Sequence, residues 1–241
     1  MFTNDIDFKK DLMQHSVFSS WQFIQNAKKN IEIATFAAKT ITKIISNMIG
    51  ETVKWEQDIF EGFRDGEKKY ISVTTDNLPA YSVDIAGEEI SGDFLVDKLI
   101  KDFYQYIRNC FDSIGQIANS GLLANKGKEI DKTDFPAMVT KFGQATYKTV
   151  FPVTAAWFET TNASVEFNYI DAINNRIKHT TDISNKLSMG ILGSTSTAQI
   201  GPFFRKAEQH EKRDLSAQLK ATLDFTNSSF EDFLNAFCNE Y

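Results

Sequence analysis

DFLVDKLIKDFYQYIRNCFDSIGQIANSGLLA, residues 93–124, decides the fold class. Val96, Leu99, Phe103, Tyr106 and Cys110 recur at three and four residues, the step that aligns one face of an α-helix. Ile107, Phe111 and Ile114 stand beside them and widen that face. A helix this long and this apolar on one side belongs inside a bundle or across a subunit contact. Ser91-Gly92-Asp93 can cap its start.

Working outward, residues 19–50 carry Trp21, Ile24, Ile31, Ala37, Ile41, Ile44 and Met48 at helical spacing. Gly50 is placed to end that helix, and a second piece follows with Val53, Trp55, Ile59, Phe60 and Phe63. Between 70 and 86 the period changes to two, with Ile71 and Val73, then Tyr81, Val83 and Ile85, around a DNLP turn. Downstream, the polar stretch 125–134 reads as a loop and 136–147 as a short helix. A long helix is expected over 152–182, with Pro152 in its first turn. MGILGSTSTAQIGP (189–202) reads as a loop, 203–223 as a charged helix and 229–237 as a last amphipathic helix. The expected fold is all-α, a multi-helix bundle with a small β-hairpin insertion near 70–86. It forms a single mainly helical domain over 1–241, with 125–134 as the candidate internal boundary.

The bulk composition agrees with a folded chain: of 241 residues, 42% are hydrophobic and 24% charged. The aromatics comprise 21 Phe against 3 Trp and 7 Tyr, and Phe has no polar handle, so the surplus reads as core. A net charge of −6 works against non-specific attraction to nucleic-acid phosphates, while leaving a local basic patch free to bind them. Cys110 and Cys238 form no CxxC or Cys/His cluster and read as reduced thiols of a cytoplasmic protein. No signal-like or membrane-spanning apolar run is present. HExxH, EF-hand, P-loop and GxGxxG patterns are also absent, so no metal or cofactor is expected. The acidic pairs Glu56/Asp58 and Glu88/Glu89 read as solvated surface, and LGSTS (192–196) as flexible loop.

Chemistry concentrates in DAINNRIKHTTD, residues 171–182. On a helix, Val165, Tyr169, Ile173 and Ile177 fall on one side, while Asp171, Asn175, Lys178, His179 and Asp182 gather opposite. His179 then lies one turn from Asn175, within side-chain reach. Of the three histidines, His15 lies near the N-terminus, which leaves His179 and His210 as candidates for proton transfer. An ordinary solvated helix face explains the same pattern.

NNRIKH resembles the R-N-x-x-K-H helix motif of the HEPN superfamily. Its members are all-α, commonly dimeric, and many are metal-independent endoribonucleases of bacterial defence and toxin–antitoxin systems. The resemblance implies attack by an RNA 2′-OH on the adjacent phosphate, with histidine handling a proton and arginine meeting the developing charge. Asn175, Lys178 and His179 match the motif, but its leading Arg is Asn174 here. An amide donates a hydrogen bond without supplying a guanidinium's charge, so the resemblance implies either a degenerate relative with a weak or dead site or an arginine supplied from elsewhere. Arg205 and His210 form a second match, to the broader R-x4-H spacing, though Gln209–Arg213 also reads as a charged helix surface. Convergence of the two segments would let Arg205 supply the charge missing at Asn174. The resemblance implies a homodimer and an RNA partner. The competing expectation is a non-catalytic dimerisation or protein-interaction module, whose apolar helix faces dock a second copy or a protein partner.

Overall fold

A computed structural model describes residues 18–66, 80–124, 126–179, 185–188, 196–205 and 207–241. Two long helices frame the mainly helical chain: α1, Phe18–Arg64, and α2, Gly92–Gly121. Along α1, Ile24, Ala27, Ile31, Ala34, Ala38, Ile41, Ile45 and Met48 are buried at alternating steps of three and four. Val96, Ile100, Phe103, Ile107, Cys110, Ile114 and Ile117 repeat the same steps on α2. Matched 3–4 spacing gives two helices a continuous shared seam. The pair is antiparallel, since Ser20 Oγ meets Ser120 Oγ at 2.6 Å at one end. At the other, a Cβ on Gly92 would lie 2.7 Å from the Tyr81 ring and 3.2 Å from the Met48 sulfur.

The expected helix end at Gly50 is not observed; α1 runs through it. A side chain there would meet open space, so the glycine costs only its backbone entropy, about 1 kcal/mol. Seam residues Met48 and Thr52 on either side are buried and hold the helix together.

Strands β1 (Ser82–Ile85) and β2 (Glu88–Ser91) form an antiparallel hairpin, with Ser82 opposite Ser91 and Ile85 opposite Glu88. Ala86 and Gly87 both take positive φ, 58° and 87°, the geometry of a two-residue turn matched to strand twist. Gly87 N donates to Asp84 Oδ1 at 3.1 Å. The alternation Tyr81–Val83–Ile85 therefore marks a real strand, but its observed partner follows it in sequence. The expected DNLP turn and first strand lie outside the described residues.

A second layer packs on the α1/α2 pair: α3 (Phe135–Phe142), α4 (Ala145–Val150), α5 (Pro152–Ala163), α6 (Val165–His179) and α7 (Leu215–Glu240). The polar loop before α3 is tied to α2 by buried Asn119, whose amide donates to Lys128 O at 2.8 Å and accepts from Lys128 N at 3.0 Å. Asp134 then caps α3 by accepting from Ala137 N at 2.8 Å. At the centre of this layer Phe135 is fully buried, with ring centroids 4.4 Å from Phe167, 5.4 Å from Phe158 and 5.5 Å from Phe111. Much of the Phe surplus thus fills the core, although Phe36, Phe60, Phe94 and Phe204 stand exposed.

The helix expected over 152–182 is two. Ser164 leaves the helical region (ψ 147°) and its hydroxyl accepts from Phe167 N at 3.1 Å, so one serine ends α5 and caps α6. The N-terminus of α5 is capped from the far end of the chain. Glu240 accepts from Val153 N at 2.6 Å and from Thr154 N at 2.9 Å.

The region between α6 and α7 also departs from expectation. Strands β3 (Asn185–Ser188), β4 (Thr197–Ile200) and β7 (Arg213–Asp214) make a small antiparallel sheet with β4 in the centre. Strands β5 (Phe203–Arg205) and β6 (Glu208–His210) form a separate hairpin. The predicted helix over 203–223 begins only at Leu215 and continues through the expected 229–237 helix. Burial alternates at Phe203 (buried), Phe204 (exposed) and Arg205 (half-buried), a period of two that a charged helix would not show.

Candidate functional site

The polar side of α6 opens on a cleft of about 480 Å³ bounded by α2, the start of α3, α6 and β5. Asn174, Asn175, Lys178, His179 and Arg205 all line it. The helical period puts the first four on one stripe, and strand β5 carries Arg205 to them from beyond α6. Asn174 is nearly buried, at 3% exposure, whereas Lys178 and His179 stand exposed at the C-terminal end of α6. Arg176 is not among the lining residues.

Asp171 organises the cleft floor. Its carboxylate meets Arg205 Nη1 through Oδ2 and Arg108 Nε through Oδ1, the latter at 3.3 Å. Asn175 Nδ2 donates to the same Oδ1 at 3.1 Å and to the Asp171 carbonyl at 2.7 Å. Arg108 also pairs with Asp112, whose carboxylate accepts from Phe135 N at 3.0 Å. The Arg108 guanidinium lies 5.8 Å from the centroid of the Phe167 ring, and its side chain is only 8% exposed. Two guanidiniums from elements distant in sequence therefore converge on one partly buried carboxylate, where planar donors match planar acceptors.

His210 sits elsewhere. Register pairs it with Phe203 across the β5–β6 hairpin, and it is buried at 7% exposure. Its ring stacks on Phe203 at 4.7 Å and meets the edge of Tyr169 at 5.7 Å. Burial pushes its pKa below the usual histidine range; Glu208 opposes this, and Arg213 and Arg205 add to it. Of the two members of the R-x4-H spacing, Arg205 reaches the cleft and His210 joins the apolar packing behind it. Phe203 and Arg205 share one face of β5, so position along the hairpin makes the split: the Phe203–His210 pair sits in the core, and Arg205, two residues on and opposite Glu208, reaches the cleft.

Sequence reading missed Arg108 and Asp112 and gave Asp171 no role. A signal for Arg108 exists: a lone arginine beside Ile107 and Phe111 on an apolar helix face, with a carboxylate four residues on. Among the described residues, no cluster of three or more His, Cys, Asp or Glu side chains is placed to hold a metal ion, and no helix is long and apolar enough to cross a membrane. Cys110 lies fully buried in the α1/α2 seam, where burial raises its thiol pKa, and it packs as a small apolar residue. Comparison with protein-family models, with curated proteins and with solved structures finds no match for this chain.

Proposed function

We propose that this chain is a HEPN-like helical protein of the bacterial defence or toxin–antitoxin type, acting on RNA as a metal-independent endoribonuclease. One observation carries the reading. Arg205 shares a cleft with Asn174, Asn175, Lys178 and His179, so a guanidinium stands on the same concave surface as the motif that lacks one. In this reading His179 takes the proton of a ribose 2′-OH as its oxygen attacks the neighbouring phosphorus. Arg205 and Lys178 face the negative charge that builds on the non-bridging oxygens. The bond to the 5′ oxygen breaks, that oxygen takes a proton from water, and a 2′,3′-cyclic phosphate remains. Asn174 contributes a hydrogen bond where the family motif places charge. The test is incubation with total tRNA in EDTA, comparing the parent with His179→Ala and Arg205→Ala. Cleavage that persists in EDTA and drops at least about 100-fold in each variant supports the reading. Cleavage unchanged by both substitutions, or none in the parent, removes it.

A second reading, a dimerisation or protein-interaction module, is favoured by the C-terminal part of α1. Val53 and Phe60 lie seven residues apart on one face there and are 45% and 51% exposed. A dimer by light scattering that Phe60→Glu converts to monomer, with no RNA cleavage, would select it.

A further inference from the structure

The cleft holds its own counter-anion. Three cations line it, Arg108, Lys178 and Arg205, and three carboxylates face them, Asp112, Asp134 and Asp171. The charges balance, and both guanidiniums are already paired with carboxylates, so an entering phosphate gains a guanidinium only if one of them leaves its carboxylate. The three carboxylates are not equally free to release one. Asp134 is committed to capping α3 through Ala137 N, and Asp112 to Phe135 N and Arg108. Arg108 is held between two carboxylates with 8% of its side chain exposed, so it is fixed in place. Arg205 differs on both counts. It is 30% exposed, and it rides on a three-residue strand whose ladder pairs only β5 with β6. It meets Asp171 alone among the three lining carboxylates.

We infer that Asp171 is a latch for the phosphate site: it parks Arg205 while the cleft is empty, and a bound phosphate takes Arg205 from it. Asp171 keeps Arg108 and Asn175 after the exchange, so its charge stays compensated. No covalent bond changes; one charge-assisted hydrogen-bonded pair replaces another. Asp171 acts through Arg205 and is a positioning residue. The exchange makes phosphate affinity depend on the strength of the pair that must be broken, and linkage requires the converse, that bound phosphate weakens the coupling of Asp171 to Arg205. This inference rests on the reading of the cleft as a phosphate-binding site, but not on cleavage occurring there.

The test titrates inorganic phosphate into the parent, Asp171→Asn, Arg205→Gln and the double variant by calorimetry at constant ionic strength. Asp171→Asn should bind phosphate about tenfold more tightly than the parent. That gain should vanish in the double variant, because the freed cation is then missing. Equal or weaker binding by a folded Asp171→Asn protein overturns the latch, since it would show that Asp171 merely supports the cleft. A second measurement needs only the parent. The side-chain Nε–H resonance of Arg205 should move saturably with phosphate, and further than that of Arg108, which keeps its bond to Asp171; an unmoved Arg205 overturns the inference even if the variants do not fold. The two readings fail separately. Phosphate exchange without tRNA cleavage leaves the latch standing and removes the nuclease. Cleavage dependent on His179, with phosphate affinity unchanged in Asp171→Asn, does the reverse.

Discussion

Replacing Arg108 by Met tests how the floor of the cleft is held. Methionine keeps most of the side-chain volume and its packing beside Phe167, so the change removes charge and hydrogen bonds with little cavity. Removing one partner of a fully buried ion pair costs about 3–5 kcal/mol, because the other charge is stranded out of water. Two features reduce that here. Asp112 and Asp171 are 30% and 19% exposed, so each keeps access to solvent. Each also keeps a second donor: Phe135 N for Asp112, and Arg205 and Asn175 for Asp171. The expected loss is about 2 kcal/mol. Adding Asp112→Asn removes one of the two stranded charges and should return about 1 kcal/mol. Urea unfolding at pH 7, followed by tryptophan fluorescence, is the assay, since urea leaves charges unscreened and Trp157 lies against the aromatic core. A loss under about 0.5 kcal/mol would refute the reasoning, as would a double variant no more stable than the single one.

Gly115 faces backbone: a Cβ there would lie 2.9 Å from Asp134 O and 3.0 Å from its carbonyl carbon. Gly115→Ala should therefore destabilise by about 1–2 kcal/mol after the helix-propensity gain, whereas Gly50→Ala, which faces open space, should stabilise by up to about 1 kcal/mol. Thermal unfolding of the pair would show opposite signs. For His210, the folded state holds the proton more weakly than the unfolded chain, so its contribution is complete above about pH 6.5 and is lost as pH falls toward the lowered value. The slope is at most about 1.4 kcal/mol per pH unit, and urea midpoints between pH 7.5 and 5.5 should show it flattened in His210→Phe.

The sequence reveals the α1/α2 seam because its signal is local: apolar residues at a helical step, repeated over many turns. Gly50 misleads because a glycine marks a helix end only when nothing else holds the helix, and here buried neighbours do. Ser164 is invisible for the opposite reason, since a serine inside a helix and a serine capping one look alike until the backbone turns. The strands between 197 and 214 are set by partners outside their own sequence, Gln199 opposite Asp214 and Phe203 opposite His210. Their charged residues suit a helix equally well, so periodicity over three or four residues cannot decide. The polar stripe of α6 was legible, including the side shared by Asp171, Asn175, Lys178 and His179. Arg108 was legible only in part: Asp112 stands one turn on along the same helix, but its second partner, Asp171, comes from α6, and only the packed fold brings that carboxylate to an arginine in an apolar face.

The cap that Glu240 provides for α5 has a consequence for the order in which the protein forms. The N-terminus of α5 waits for an acceptor 87 residues further along the chain. At ribosomal rates of about 5–20 residues per second, that residue emerges on the order of ten seconds later. Throughout that interval the amides of Val153 and Thr154 have only water to bond with, although α1 and α2 are already complete. The antiparallel frame can therefore assemble during synthesis, while the aromatic layer closes last, sealed by the final turn of α7.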